Sequence, residues 1–274
     1  MTFGARLYRT KQARGPLCVG IDPHASLLRE WGLDDNVAGL EQFARIAVEA
    51  LAPEASLIKP QSAFFERFGS RGIAVLEQVC DDARAAGAMV LLDVKRGDIG
   101  STSQAYADAY FGATSTLAVD AITVSPYLGF GSIQPMIDTA LANNAGLFVL
   151  AMTSNPEGPQ FQMARTGSGR TVAGTVLDSL AAANAGCVPL GSLGAVVGAT
   201  LADTGEDFAF NGPILAPGVG AQGGTPADVR RIFGSAASNV LPSSSRDILR
   251  AGPDVAALRE AARRVNGEFA EALG

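Results

Sequence analysis

A chain of 274 residues that is 47% hydrophobic can bury a sizeable core, either as two small domains or as one large α/β unit. Its 21 Lys+Arg against 27 Asp+Glu give a net charge of −6 with no basic block to track a phosphodiester backbone, which argues against a nucleic-acid partner. The segment Met1 to Gln12 lacks the apolar core of a signal peptide, and no run of about 18 uninterrupted apolar residues occurs, so the expectation is a cytoplasmic protein without membrane contact. Cys18, Cys80 and Cys187 are odd in number and far apart, with His24 the single histidine, so neither a disulfide framework, nor a zinc site, nor a histidine-based triad is expected.

In chain order, Phe3 and Leu7 at helical spacing predict a short amphipathic helix over about 2–13, placed to cap the bottom of a barrel. Leu17–Asp22 reads as a buried strand ending in an acid, and a helix follows over about 38–51. Ser56–Lys59 and a helix over about 72–86 repeat the unit, and Ala88–Asp93 precedes a helix starting near Ser101, where Ser101 and Gln104 suggest a capping box. Further apolar runs stand at 121–125, 146–152, 193–199, 213–216 and 238–241. Helical segments fit at about 132–143, 171–185, 201–209, 226–234 and 253–272. Eight strands alternating with helices, with no clear linker, predict one (β/α)₈ barrel domain over 1–274; a doubly wound sheet is the structural alternative.

Active sites of this fold gather where strands end and βα loops begin. Polar residues collect there: Asp22, Lys59, Asp93 with Lys95, Ser125, Thr153 with Ser154, Thr200, Gly218 to Gly220, and Ser243 to Arg246. In Leu91-Leu-Asp-Val-Lys-Arg-Gly-Asp98, residues two apart share a face, so Leu91, Asp93 and Lys95 point one way and Leu92 and Val94 the other. An isolated D-x-K at a strand end is ordinarily a solvated ion pair. The segment 215–224, Leu-Ala-Pro-Gly-Val-Gly-Ala-Gln-Gly-Gly, has the glycines of an oxyanion cradle, and Ser243-Ser-Ser-Arg246 adds hydroxyls and a guanidinium suited to phosphate.

Lys59, the run Asp93-x-Lys95-x-x-Asp98-Ile99-x-x-Thr102, Pro217-Gly-Val-Gly-Ala-Gln-Gly-Gly224 and Arg246-Asp-Ile248 resemble, in matching order, the orotidine 5′-phosphate decarboxylase family. Asp120-Ala-Ile-Thr-Val-Ser-Pro-Tyr-Leu-Gly129 and the length are similar to its longer bacterial branch, with Ser245 where relatives often have glycine. The resemblance implies a catalytic tetrad of Lys59, Asp93, Lys95 and Asp98, with Asp98 and Thr102 supplied to the neighbouring site of a homodimer. It implies ribose contacts from Asp22 and Lys59, a pyrimidine contact from Ser154, and phosphate contacts from Gln222 and Arg246 beside Pro217, Gly218 and Gly223. Gly97 can turn the chain between Lys95 and Asp98, and residues 154–171 are the candidate lid, with Gly158, Gly167 and Gly169 as its flexible points.

The implied reaction converts orotidine 5′-phosphate to UMP and CO₂, the last step of de novo pyrimidine nucleotide synthesis, with no cofactor or metal. Loss of CO₂ from C6 leaves an electron pair poorly conjugated with the ring carbonyls, so a fixed ammonium, Lys95, is expected to stabilise and then protonate it. Two other readings stand beside this one. A metal-dependent sugar-phosphate barrel such as 3-hexulose-6-phosphate synthase shares D-x-K-x-x-D, but an acid usually stands where this chain has Lys59 and a glutamate where it has Thr102. A non-catalytic barrel could bind a phosphorylated metabolite through the glycine loop and Arg246 alone.

Overall fold

The computed structural model describes residues 1–202, 204–220 and 223–273. Eight strands run in parallel and close on one another: β1 Cys18–Ile21, β2 Leu57–Pro60, β3 Met89–Arg96, β4 Ala121–Val124, β5 Gly146–Met152, β6 Leu193–Val197, β7 Ile214–Pro217 and β8 Val240–Ser244. Each pairs with the next in sequence and β8 returns to β1, giving the (β/α)₈ barrel. Each run was apolar enough to be buried on both faces, as parallel strands covered by helices must be.

The outward residues Val19, Ile58, Val90, Leu92, Ile122, Val149, Val197, Ile214 and Val240 pack against the surrounding helices in the larger core. The helices include Val37–Leu51, Gly69–Ala85, Gly100–Phe111, Val172–Ala183 and Val255–Leu273, close to their expected spans. The inward residues form layers. Cys18, Leu57, Met89, Leu91, Ala121, Phe148, Val196, Leu215 and Leu241 make an apolar layer. One step further along the same faces stand Lys59, Asp93, Thr123 and Ser243, all buried.

The expected N-terminal helix forms at Phe3–Arg14 and closes the amino-terminal end of the barrel. Phe3 and Leu7 are fully buried in the inner layer. The Phe3 ring meets Phe148 edge-on at 6.1 Å, and a Cβ at Gly146 would stand 2.3 Å from that ring. Arg6 pairs with Asp120, whose other oxygen accepts from Val90 N at 2.9 Å.

Two sequence expectations are overturned. No helix forms among the described residues of 201–209: Thr204 Oγ1 accepts from Glu206 N, Asp207 Oδ1 accepts from Ala209 N, and the Glu206 side chain receives Thr171 and Arg170. Side chains that bond their own backbone hold the segment out of a helix while Phe208 and Phe210 are buried. The second concerns Ser101 and Gln104, which form no capping box. The helix already begins at Gly100, with Ile99 at the cap, and Gln104 donates to Asp108 and Thr139.

Candidate active site

The carboxyl ends of the strands enclose a cavity of about 600 Å³. The period-2 geometry of β3 delivers Asp93 and Lys95 to it on the side of Leu91, as expected, while Leu92 and Val94 join the outer core. β2 delivers Lys59 and β1 leads into Asp22. Of the residues expected at the site, Asp22, Lys59, Asp93, Lys95, Ser154, Pro217, Gly218 and Arg246 line this one cavity.

Asp93 lies between two ammonium groups. Lys59 Nζ is 3.2 Å from Asp93 Oδ2, and Lys95 Nζ is 2.6 Å from Oδ1. Burial would push the Asp93 carboxyl up, but the two lysines and a hydrogen bond from Thr123 outweigh it and hold the group down at about 2. Burial disfavours the Lys59 charge, yet Asp93 and Asp22 outweigh that and raise its pKa. The lysines differ in access: the Lys59 side chain is 7% exposed and that of Lys95 is 45% exposed. Lys59 is therefore the fixed counter-charge, and Lys95 is the ammonium free to meet a ligand.

One oxygen of Asp22, Oδ1, is buried with no hydrogen-bond partner among the described residues. A buried carboxylate oxygen facing a cavity is an acceptor suited to a ligand hydroxyl. Across the seventh and eighth strand ends, Gly218 at φ 100° lets the chain fold back so that Gly224 N donates to Gly218 O at 2.9 Å. Arg246 makes no ion pair among the described residues and leaves its guanidinium to the cavity. The Ser245 side chain occupies space left by Gly20, where a Cβ would stand 2.8 Å from that of Ser245, and its buried Oγ has no hydrogen-bond partner among the described residues.

The expected residues are not all in this cavity. Asp98 is half-buried outside it, with Oδ1 accepting from Ile99 N at 2.8 Å, and Thr102 is exposed on the following helix. Gly223 turns back within its loop, donating to Gly220 O, and does not line the cavity. Gln222 lies outside the described residues. Of the other polar strand ends, Ser125 and Thr200 do not line it either.

Sequence reading missed several lining residues. Thr123 shares the inward face of β4 with Ala121, so a polar residue in phase with the site was available as a signal. Gln61 lies just after β2 and Phe64 on the four-residue helix Ala63–Glu66, too short to show a period, and His24 packs edge-on to Phe64 at 4.2 Å. Among the described residues, no three His, Cys, Asp or Glu side chains group as a metal-holding cluster.

A closed parallel (β/α)₈ barrel whose carboxyl-end cavity is charged on the β2–β3 side and carries a glycine turn and an arginine on the β7–β8 side has the architecture of a barrel enzyme. The family described as orotidine 5′-phosphate decarboxylase/HUMPS matches residues 15–261, and the chain belongs to it. A relative from Nocardioides named orotidine 5′-phosphate decarboxylase is 67% identical over 97% of this chain and 98% of its own. One of the same name from Streptomyces coelicolor is 62% identical over 99% and 98%. A solved structure from Streptomyces avermitilis, named for the same decarboxylase, superposes with a TM-score of 0.97 at 61% identity, covering 99% of this chain and 96% of that one.

Proposed function

We propose that the protein decarboxylates orotidine 5′-phosphate to UMP and CO₂ without a metal or cofactor, as a cytoplasmic step of pyrimidine nucleotide synthesis. The observation that carries the reading is the Lys59–Asp93–Lys95 array at the cavity floor, with Asp93 held ionised between two ammonium groups. In the reaction the C6–carboxylate bond breaks, CO₂ leaves, and the electron pair stays on C6. The Lys95 ammonium stabilises that pair and transfers one proton to it. Asp93 orients Lys95 and stands beside the departing carboxylate, so their repulsion falls as CO₂ leaves.

Asp22 and Lys59 take the ribose hydroxyls, Ser154 the pyrimidine, and Arg246, with Gln222 and the Pro217, Gly218 and Gly223 turn, the phosphate. The partnerless Asp22 oxygen and the uncommitted Arg246 support those roles. Phosphate binding then drives closure of the 154–171 segment, so that remote binding energy serves the chemical step.

Asp98 and Thr102 complete the site of a second copy. Gly97 sits against Ser125 O, closer than any side chain would allow, which brings the β3 and β4 loops together. The apolar residues flanking them are open: Ile99 is 61% exposed, Tyr127 74% and Leu128 54%. A homodimer covers this patch and carries Asp98 across the boundary.

The test is direct. Purified protein treated with a chelator is given orotidine 5′-phosphate, and the orotate absorbance should fall as UMP forms. Turnover that vanishes with chelator and returns with Mg²⁺ would overturn the metal-free reading, and a metal is opposed by the lysine at position 59, which places an ammonium 3.2 Å from Asp93.

A further inference from the structure

The ladder between β3 and β4 breaks at the site. Leu92 pairs with Ile122 and Arg96 with Val124, so Asp93, Val94 and Lys95 lie opposite Thr123 alone. The bulge gives Lys95 a φ of 46°, a left-handed conformation that non-glycine residues seldom adopt. In a regular strand successive amides point to opposite neighbours, but here the amides of Val94 and Lys95 both turn to β4. The Thr123 hydroxyl receives both, at 3.0 and 2.9 Å, and donates its own proton to Asp93 Oδ1 at 2.7 Å. The residue is 1% exposed, so its hydroxyl is engaged by these protein groups and not by bulk solvent.

From this geometry we infer that Thr123 is a positioning residue of the reaction: its one hydroxyl fixes both the turn that aims Lys95 into the cavity and the plane of the Asp93 carboxylate. With Oδ1 shared by Thr123 and Lys95, Oδ2 is left to Lys59, and each oxygen has an assigned cation. Nothing else on β4 can do this, since Ile122 and Val124 point outward. The inference rests on the decarboxylase reading for its kinetic consequence but not for its structural one.

Thr123→Val keeps the shape and removes all three hydrogen bonds, leaving the buried Val94 amide and the part-buried Lys95 amide without this acceptor. Its expected effect is a fall in kcat of roughly 10- to 100-fold. KM for orotidine 5′-phosphate should change by less than about threefold, because the substrate-binding groups stay in place. The acid limb of the kcat profile should move to higher pH, because Asp93 loses a donor that favours its ionised form. Thr123→Ser should recover most of kcat, and Thr123→Ala, which cannot clash, should behave like the valine variant. A ¹³C NMR titration of the Asp93 carboxyl needs no turnover and should move upward in Thr123→Val. Wild-type turnover alongside unchanged kcat and an unmoved Asp93 titration in that variant overturns the inference alone. Absence of wild-type turnover overturns the decarboxylase reading, and the NMR titration still decides the role of Thr123.

Discussion

The two ends of the barrel interior are lined by the same strands on the same faces and are built from opposite materials. At the amino-terminal end Phe3, Leu7, Leu91 and Phe148 meet in an apolar plug, and the ion pair at its edge, Arg6 with Asp120, is partly open with Arg6 35% exposed. Two residues further along β3, Asp93 and Lys59 are 8% and 7% exposed and bonded to each other. A partly solvated pair contributes little to stability, whereas a buried one carries a desolvation cost that a pair of apolar residues would avoid. An interior that can be sealed with phenylalanine at one end has no structural need for lysine and aspartate at the other. The contrast assigns the lower end to stability and the upper end to chemistry.

The largest effect expected from that division is at Lys95. Lys95→Ala should still fold and bind UMP while turnover falls at least roughly 10³-fold. Mixing it with Asp98→Ala should restore activity through hybrid sites; wild-type turnover by Lys95→Ala, or no restoration on mixing, breaks the chemical assignment or the shared site respectively. Phe3→Ala should do the converse, lowering stability by about 3 to 5 kcal/mol in urea denaturation with kcat unchanged at a temperature where it is folded. A loss of kcat in the folded variant would show that the two ends are coupled.

The smallest effect is a pH dependence. Asp93 titrates at about 2 in the folded chain against 3.8 for the unperturbed group, so its contribution is present above 3.8 and is lost as pH falls through 2. The stability difference between wild type and Asp93→Asn should therefore narrow by about 2 kcal/mol from pH 5 to pH 2. A constant difference would mean that Asp93 is not held down by its lysines.

The strands were legible because each is a short apolar run, in most cases ended by a polar residue. The longer helices were legible because they show a 3.6-residue period over several turns. The four-residue helices Ala63–Glu66, Pro159–Gln162 and Arg246–Leu249 are shorter than that signal requires. The 201–209 segment misled because Thr204 and Asp207 are committed to local backbone bonds that no periodicity reveals. At the site, charged residues in an apolar context announced themselves. Thr123 did not, since a threonine inside a strand is ordinary for β-structure, and only the bulge on β3 turns its hydroxyl into an acceptor for two amides.

The plug under the barrel has a consequence for how the chain is assembled. Phe3 and Leu7 precede all eight strands in the chain, yet their seat includes Leu215 and Leu241, and Gly4 N donates to Ser192, 188 residues away. The helix cannot find its final place until nearly all the strands exist, so a segment made before them docks after them.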